Sequence, residues 1–460
     1  MDNKIFEKPD VKLIAYSQGN FYYDYSKRLG PEELSVFSAA TCFEERSSYQ
    51  IFLNDVHKLD LEKFEKKKEG ILEGTSGSGH GSVLDQNRFY FCIENIPRIA
   101  TLQLCQPQYL EHIQQSLRRA PADRLYFLPK ETRQSDMLAK TIAVMDSAFG
   151  LYNCMKEAGI PEEDARFILP LYAKTNIQTS GNSRELMHLH DMSRNDQIPS
   201  VIKETVEELI GQLNKSFPKL FKERATNYEK LAWYPSAQLF ATENKTIENI
   251  IVNLSQGPVT LIGTSEIPMN AESIKKAVEE RDEAELANLK HLHYTFLAEM
   301  SLVSFHQAIR QRTWDQSVES IYHAIERGNF ITPLSIQRNE KYHVQYTQQQ
   351  QKMLDFYHEL VQSGIKKQEA LGVLPHSLTV YDLIHINGWN AIHSIAKRTC
   401  TTAQWEIRAV GRNIAEKLYE ANPALGKYGL PQGILYGRCP EKENCGYCDT
   451  VLKKTTGLKI

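Results

Sequence analysis

Residues 151–170 read LYNCMKEAGIPEEDARFILP, and residues 356–375 read FYHELVQSGIKKQEALGVLP. Both stretches have an aromatic residue near the start, a Gly-Ile step, an alanine and a terminal Leu-Pro, and they lie 205 positions apart. A similarity at such a long period is the sequence signature of a duplicated unit. These stretches therefore predict that one domain occurs twice in the chain.

Two further pairs of segments keep nearly the same spacing. QPQYLEHIQQS at 106–116 and RQRTWDQSVES at 310–320 share one frame and lie 204 positions apart, although the first copy lacks both arginines. Asn182 and Asn387, each 12 residues beyond its Leu-Pro, are again 205 positions apart. Three matches in the same order at nearly constant offset indicate two copies rather than chance.

The length of the chain agrees with a duplication. At 460 residues it exceeds the usual size of a single hydrophobic core. We predict a first copy at 10–225, a second copy at 230–437 and a cysteine-containing C-terminal tail at 438–460.

The composition excludes several classes of protein. Hydrophobic residues make up 41% and charged residues 24%, which is ordinary for a globular protein. The net charge of −3 argues against a general nucleic-acid binder and against binding to an anionic membrane. The sequence contains no apolar run of about 18 residues, and its charged first residues lack a signal core. With five of the cysteines scattered, the expectation is a cytoplasmic protein.

Hydrophobic periodicity predicts a helix-rich α+β fold with an antiparallel sheet in each copy. Apolar residues recur at helical spacing in 200–215 and 403–419, which predicts two amphipathic helices. Strands are predicted from the short apolar stretches VKLIAYS (11–17), NRFYFCI (87–93), IIVNL (250–254) and VTLIG (259–263).

Two groups of residues could bind an anion or a planar ring. In the second copy, Gln307, Arg310 and Arg312 project from neighbouring positions, and arginine offers a fixed fork of donors for phosphate or carbonyl oxygens. In the first copy, Ser116 lies two residues before Arg118, a pattern typical of a compact phosphate-binding loop. For each group alone, a solvated basic surface is the alternative interpretation.

These residues carry a family resemblance. The chain resembles the flavin-dependent thymidylate synthases, whose signature is Arg-His-Arg, seven residues, then serine. RQRTWDQSVES matches it with Gln311 in place of the central histidine. The stretches GHGSVLDQ, EEDARFILP, NSRELMHLH and RTCTTAQWEIR, and the ending GRCPEKENCGYC, are similar to other parts of the family. The similarity covers most of both copies.

The resemblance implies an enzyme that binds FAD and reduces it with NADPH. The reduced flavin and methylenetetrahydrofolate would then methylate dUMP at C5 to give dTMP. Members of the family are homotetramers, so a tandem chain would form a homodimer that acts as a pseudo-tetramer. The implied partners are a dUMP-like pyrimidine nucleotide and a folate.

The resemblance also implies roles for single residues. Gln103 and Gln307 match a glutamine three residues before the motif, in the substrate site. Arg310 and Arg312 match the two arginines that contact flavin and nucleotide, and Gln311 takes the intervening place beside the flavin.

Other matched positions concern the nucleotide. Ser116 and Ser320 match the serine of the motif, which with Arg398 completes the catalytic set that we predict. Arg118 matches an arginine that contacts the dUMP phosphate, where the second copy has Tyr322. Arg166 matches another nucleotide-contacting arginine, lost as Leu371.

A last group of matched positions concerns the pyrimidine and the flavin. Arg398 matches an arginine near the pyrimidine carbonyl, and its first-copy counterpart is Ser193. His80 matches a histidine on the flavin side. The segment that contacts the FAD ribityl chain is matched by Asn182, Arg184, Asn387 and Asn390.

Each copy departs from the family pattern in a different place. The first has Gln106, Pro107 and Gln108 where the family has Arg-His-Arg, and the second lacks the phosphate arginines. We therefore expect a composite site, in which one copy supplies Ser116, Arg118 and Arg166 and the other supplies Arg310, Arg312 and Arg398.

The tail contains Cys439, Cys445 and Cys448 in the spacing C-x5-C-x2-C. A structural zinc, a disulfide and free thiols are all compatible with this spacing. Of these three alternatives, we expect free thiols. We predict no metal site.

Two alternatives to thymidylate synthesis stay open. The missing central histidine is compatible with a related flavin and folate enzyme that acts on another pyrimidine nucleotide or gives a hydroxymethyl product. Since duplication permits one copy to decay, a non-catalytic nucleotide- or flavin-binding protein is the third possibility.

Overall fold

The computed structural model describes residues 4–20, 28–51, 53–54, 61–78, 80–118, 120, 122, 124–221 and 235–454. The predicted boundary between the copies, at 225–230, lies outside these residues. Among the described residues, no helix is long and apolar enough to cross a membrane.

Two four-stranded antiparallel sheets form the framework. Their strands, in chain order, are β1 (Asp10–Tyr16), β2 (Phe89–Pro97), β3 (Glu111–Gln114), β4 (Lys174–Gly181), β5 (Val259–Ser265), β6 (His293–Ser301), β7 (Asp315–Val318) and β8 (Thr379–Asn387). The first sheet has the order β1-β2-β4-β3 and the second has the order β5-β6-β8-β7. Short pairs also join Ile5–Phe6 with Tyr126–Phe127 and Gly19–Asn20 with Arg28–Leu29.

The longer helices surround these sheets. They are α1 (Pro31–Phe43), α2 (Leu61–Gly74), α3 (Arg98–Leu104), α4 (Leu138–Glu157), α5 (Ser183–Met192), α6 (Ser200–Ser216), α7 (Lys245–Leu254), α8 (Leu302–Ala308), α9 (Ile321–Arg327), α10 (Glu340–Gln362), α11 (Gly388–Arg398), α12 (Trp405–Ala421) and α13 (Tyr447–Lys454). Short α-helical turns lie at Ser48–Ile51, Lys130–Arg133, Glu162–Ala165, Ala271–Lys275, Glu283–Asn288, Leu334–Gln337, Lys367–Ala370, Pro423–Gly426 and Gln432–Leu435. Turns of 3₁₀ helix lie at Ser76–Ser78, Gly81–Gln86, Arg166–Ile168, Leu289–His291 and Leu371–Val373, and a π turn at Lys276–Glu280.

The strand register confirms the duplication. In the first sheet Glu111 pairs with Ser180, and in the second sheet Asp315 pairs with His385. These partners are offset by 204 and 205 positions, the same values that the sequence repeat shows. The helix-rich α+β class with an antiparallel sheet in each copy is therefore confirmed.

The predicted elements are confirmed with one exception. Helices occupy 200–216 and 405–421, and strands occupy 10–16, 89–97 and 259–265. The strand predicted at 250–254 is wrong, because this segment is the end of α7. Its isoleucines recur at helical spacing, so that Ile247, Ile250 and Ile251 pack against Leu297 of the sheet. The Asn244 side chain also caps the helix by accepting from the Ile247 N–H.

The compact units of the structure are not continuous in sequence. Unit 1 comprises residues 1–150, 170–236 and 355–374, and unit 2 comprises residues 151–169, 237–354 and 375–460. Unit 1 thus contains a segment of the second copy, and unit 2 contains the corresponding segment of the first. We call 151–169 and 355–374 the exchanged segments.

In each unit an acidic residue of the exchanged segment holds the first residue of a long helix. In unit 2, Asp164 accepts a hydrogen bond from the Trp405 indole N–H at 2.7 Å, at the start of α12. In unit 1, Glu369 accepts from the Ser200 backbone N–H at 2.7 Å and from its hydroxyl at 2.9 Å, at the start of α6. The positions 164 and 369 are equivalent in the repeat, and a carboxylate at a helix N-terminus is favoured by the helix dipole.

A glycine permits close packing in the exchanged segment of unit 1. A Cβ atom on Gly372 would lie 2.0 Å from the Tyr172 ring, and the Tyr172 hydroxyl donates to the Glu369 carbonyl at 2.7 Å. The Tyr172 ring is fully buried, so it has little room to move away.

We therefore expect Gly372→Ala to lower the free energy of unfolding by about 1–3 kcal/mol through overpacking. Gly150→Ala is the matched control, because Gly150 lies inside α4 with nothing within 4 Å of a Cβ, and it should stabilise by about 0.5–1 kcal/mol. Urea unfolding followed by circular dichroism measures both changes. A Gly372→Ala variant with an unchanged free energy of unfolding would contradict the close packing of Gly372 against Tyr172.

Candidate functional site

A tight turn presents Arg310, Gln311 and Arg312 directly after α8. The Gln311 N–H donates to the Ala308 carbonyl at 2.8 Å, and the Trp314 N–H donates to the Gln311 carbonyl at 3.1 Å. The Trp314 side chain is buried, and its indole N–H donates to the Ser394 hydroxyl of α11 at 2.9 Å. This turn is therefore fixed against α11, and its side chains have a defined position.

Arg398, the last residue of α11, lies against this turn. Its Nη2 donates to the Gln307 carbonyl at 3.3 Å. With the Gln311 amide oriented so that its oxygen faces Arg398, that oxygen accepts from Nε at 3.2 Å and also from Nη2. Gln311 thus acts as a neutral acceptor for Arg398 in the place of the family's central histidine.

The electrostatics of this arrangement are unusual for an arginine. Burial and, to a lesser extent, the positive charge of Arg310 together lower the pKa of Arg398 to about 10. Arg310 itself is half-buried, and its Nε donates to the His306 carbonyl at 2.8 Å. Two partly buried guanidinium groups whose charges repel each other favour a bound anion or a strongly polarised carbonyl oxygen.

Arg166 lies in the same unit but at the other end of α8. The buried carboxyl of Glu406 accepts from the Ser301 N–H at 2.6 Å and from its hydroxyl at 2.5 Å, which caps α8. Burial raises the pKa of Glu406 to about 7, whereas these hydrogen bonds and the charge of Arg166 act in the opposite direction. Arg166 is buried too, and its Nε donates to the Glu163 carbonyl at 3.1 Å. Since α8 has seven residues, Arg166 and the Arg310–Arg398 pair flank a helix roughly 10 Å long.

Ser320, predicted to be catalytic, is fully buried. Its hydroxyl donates to the Ala241 carbonyl at 2.6 Å and accepts from the Tyr322 N–H at 3.2 Å, at the start of α9. Residues 237–242 run alongside this loop, because the Val318 and Ile321 N–H groups donate to the carbonyls of Ala237 and Leu239. This geometry makes Ser320 a helix cap under a covering segment, and it argues against a direct catalytic role.

A buried ion pair further immobilises the Ser320 loop. Arg327 donates to both carboxylate oxygens of Glu319 at 2.8 Å, and the Tyr381 N–H donates to Glu319 at 3.0 Å. Glu319 is fully buried, and the guanidinium of Arg327 lies 4.8 Å from the centre of the Tyr381 ring. Such bidentate geometry holds the loop in one conformation.

The equivalent loop of the first copy, in unit 1, is exposed. Ser116 follows β3, and its hydroxyl oxygen accepts from the Arg118 N–H at 3.2 Å. The side chains of Ser116 and Arg118 both face solvent. A hydroxyl and a guanidinium thus lie on one short exposed loop, which suits a phosphate group.

In the first copy, the glutamines at and before the motif are hydrogen-bonded to each other. The Gln106 amide N–H donates to the Gln103 side-chain oxygen at 3.1 Å, and the Gln103 amide donates to the Met192 carbonyl at 3.3 Å. Both glutamines are buried. Ser193, the counterpart of Arg398, is buried next to a cavity lined also by His190, Arg194 and Lys203. Gln103, which was predicted to bind substrate, is therefore buried and hydrogen-bonded within the protein.

Three residues predicted to contact flavin lie together in unit 1. Asp85 accepts from the Asn182 amide at 3.2 Å and pairs with Arg184 at 3.4 Å. Burial raises the pKa of Asp85, whereas Arg184 lowers it. A Cβ on Gly81 would lie 3.2 Å from Nε of Arg184, so the exposed His80 belongs to the same cluster.

Asn182 and Asn387 have the same local role in the two copies. Each side-chain oxygen caps the helix that follows its strand, accepting at 2.9 Å from the N–H of Glu185 and of Asn390 respectively. Gln307 contributes its carbonyl to Arg398, and Arg312 is half-buried on the turn. Among the described residues, the hydrogen bonds of Arg310 and Arg398 go to His306, Gln307 and Gln311, and not to Asn387 or Asn390.

The sequence pattern did not identify Glu406 or Trp314, which position the arginines. Both lie in the quoted stretches RQRTWDQSVES and RTCTTAQWEIR, but neither position carried a role there, and Glu406 occupies the first turn of a predicted helix, where acidic residues are frequent. The cysteines that the structure describes are free thiols, and no group of three or more His, Cys, Asp or Glu among those residues is arranged to hold a metal ion.

Comparisons with known proteins give a consistent result. The chain matches the sequence model of a family described as "Thymidylate synthase complementing protein" twice, over residues 24–219 and 239–424. A flavin-dependent thymidylate synthase of Saccharolobus solfataricus is 30% identical over 221 residues, which is 47% of this chain and 77% of that protein. Its namesake from Haloarcula marismortui is 26% identical over 221 residues, which is 42% of this chain and 90% of that protein. The structure of a UMP/dUMP methylase from Streptomyces cacaoi bound with 5-Br dUMP aligns with a TM-score of 0.38 at 16% identity, covering 48% of this chain and 95% of that one.

Ser320 and Ser116 should respond differently to the same substitution. Ser320→Ala removes a buried helix cap and a hydrogen bond, so the free energy of unfolding should fall by about 1–2 kcal/mol. Ser116→Ala on the exposed loop should change it by no more than about 0.5 kcal/mol. Urea unfolding measures both variants, and equal losses would contradict the structural role assigned to Ser320.

Proposed function

Because the chain belongs to the thymidylate synthase complementing protein family, we propose that it is a flavin-dependent thymidylate synthase. In this proposal it uses FAD, NADPH and methylenetetrahydrofolate to methylate dUMP to dTMP. The curated relatives carry the same name, and two matched segments cover most of the chain. The free cysteines favour a cytoplasmic location for the reaction.

The observation that carries the proposal is the Arg310–Arg398 pair. After burial, the strongest influence on Arg398 is a second cation, and the partners of its own hydrogen bonds are neutral oxygens. Such a pair is stabilised by a ligand with anionic or carbonyl oxygens. A pyrimidine ring offers two carbonyls, and polarising them makes the ring a better acceptor for a one-carbon unit.

The same donor set fits a flavin, whose ring also carries carbonyl oxygens. Arg310, Gln311 and Arg312 on the turn, with His80, Asn182, Arg184, Asn387 and Asn390, are the residues that we propose to hold the FAD. When bound, the flavin supplies the hydride that completes the methyl group. The role of the protein is to orient the rings, exclude water and neutralise charge.

We propose that the nucleotide phosphate binds at the first-copy loop. Ser116 and Arg118 are exposed, whereas the equivalent Ser320 loop is covered by residues 237–242. Arg166, in the same unit as Arg310 and Arg398, adds positive charge. Each chain would then bind one nucleotide, with residues from both copies contributing to the active site, and the chain would work as a homodimer that acts as a pseudo-tetramer.

One observation favours a related activity as the second candidate. Gln311 replaces the family histidine and accepts from Arg398, so the charge beside the flavin differs from the family pattern. This difference could select another pyrimidine nucleotide or a hydroxymethyl product. Separation of the products by chromatography distinguishes these outcomes from dTMP.

The direct test is release of tritium from dUMP labelled at C5, with NADPH and methylenetetrahydrofolate present. The wild type should release tritium and yield dTMP. Arg398→Gln and Arg118→Gln should each lose about 30-fold or more in kcat/KM, since losing one partner of a desolvated charge contact costs about 2–5 kcal/mol. Arg338→Gln, an exposed arginine of unit 2, should keep full activity as the control.

Several results would contradict the proposal. Tritium release by the wild type without dTMP would favour the related activity. Absence of any turnover, together with retained flavin and nucleotide binding, would favour a non-catalytic binding protein. Full activity in Arg118→Gln would exclude the first-copy loop as the phosphate site.

A further inference from the structure

The C-terminal tail places two cysteines at the start of a helix. Cys445 and Cys448 are separated by Gly446 and Tyr447, and α13 begins at Tyr447. Gly446 has φ of 74°, a left-handed conformation that suits glycine and turns the chain into the helix. Cys448 lies in the first turn of α13 and Cys445 lies just before it, which is the C-x-x-C spacing of dithiols that can close a disulfide.

The two thiols have opposite environments. Cys445 is exposed, and its sulfur accepts from the Thr401 hydroxyl at 2.9 Å and from the Tyr447 backbone N–H, which together lower the pKa of the thiol. Cys448 is 5% exposed, and burial followed by the nearby Cys439, Cys400 and Cys445 raises its pKa. An exposed thiol whose pKa is lowered, next to a buried thiol, is the arrangement of reactive dithiols.

The dithiol contacts the loop that follows Arg398. Thr401, three residues beyond Arg398, donates to Cys445, and its carbonyl accepts from Nη1 of Arg408 at 2.8 Å. The buried Cys400 sulfur lies 3.2 Å from the Thr402 hydroxyl. A change at Cys445 is therefore transmitted directly to the 399–402 backbone.

We propose that Cys445 and Cys448 form a reversible dithiol–disulfide pair that reacts with hydroperoxides and alters the loop behind Arg398. The Cys445 thiolate attacks a peroxide oxygen, the O–O bond breaks, and the departing hydroxide takes up a proton to give water. The resulting sulfenic acid at Cys445 is attacked by the Cys448 sulfur. The S–S bond forms, and a second water leaves with the Cys448 proton. Two thiols are oxidised, and the peroxide is reduced to two waters.

Oxidation should loosen the loop because a disulfide sulfur is a poorer acceptor than a thiolate. Thr401 would lose its charge-assisted partner, and the 399–402 backbone would become less constrained. This inference does not depend on the proposed activity, since it concerns the thiols and the loop alone.

The test uses the full-length protein with hydrogen peroxide and then with a reducing dithiol. Peptide mass mapping should show a Cys445–Cys448 disulfide, a loss of two of the eight thiols, and complete recovery on reduction. Hydrogen exchange of the 399–402 amides should be faster in the oxidised protein. The Cys448→Ser variant should stop at a sulfenic acid on Cys445, which dimedone traps.

The Cys42→Ser variant is the matched control, because Cys42 is exposed but lies outside the tail, and it should form the same disulfide. Disulfides between other cysteines, or a Cys445 that reacts no faster than Cys42, would overturn the proposal. Stoichiometric zinc in elemental analysis of the purified protein would overturn it as well. Mapping of the wild type decides these points even if a variant fails to fold.

Discussion

The candidate active site depends on one kind of contact. In each unit, an acidic residue of the exchanged segment accepts a hydrogen bond from the first residue of a helix. Asp164 fixes Trp405 at the start of α12, and the next residue, Glu406, caps α8 through Ser301. The turn that follows α8 carries Arg310. The position of a second-copy arginine thus rests on a first-copy aspartate through a continuous series of hydrogen bonds and helices. In unit 1, Glu369 provides the same anchoring for α6.

The two copies share a framework but have diverged in their polar residues. The sheets have the same strand order and register, because the alternation of buried side chains fixes both. Polar positions at the sheet edges and helix ends are not constrained in this way. Where the second copy has Arg398 the first has Ser193, and where the second has Arg310 the first has Gln106, whose amide donates to Gln103. The first copy thus lacks the two arginines, and the second copy lacks an exposed serine loop.

Much of the fold could be predicted from the sequence, since the repeat at 205 positions and the amphipathic helices are local patterns. The strand assigned to 250–254 failed because the β-branched residues of IIVNL suit either structure, and the Asn244 cap and the helical spacing decided for a helix. The exchange of segments could not be predicted. The two exchanged stretches, LYNCMKEAGIPEEDARFILP and FYHELVQSGIKKQEALGVLP, share one pattern of residues. That shared pattern does not show which partner each stretch packs against.

The candidate site was predictable only where single residues carry distinctive chemistry. Arg310 and Arg398 lie together as the motif implies, and Ser116 with Arg118 forms an open loop. The burial of Ser320 could not be predicted, because its motif position is identical to that of Ser116, while the burial depends on residues 237–242 some 80 positions earlier. That covering segment lies just beyond the matched region of the first copy and at the start of the second. Residues 237–242 therefore do more than lead into the second copy: by covering the Ser320 loop, they decide that only one of these two equivalent loops is open to solvent.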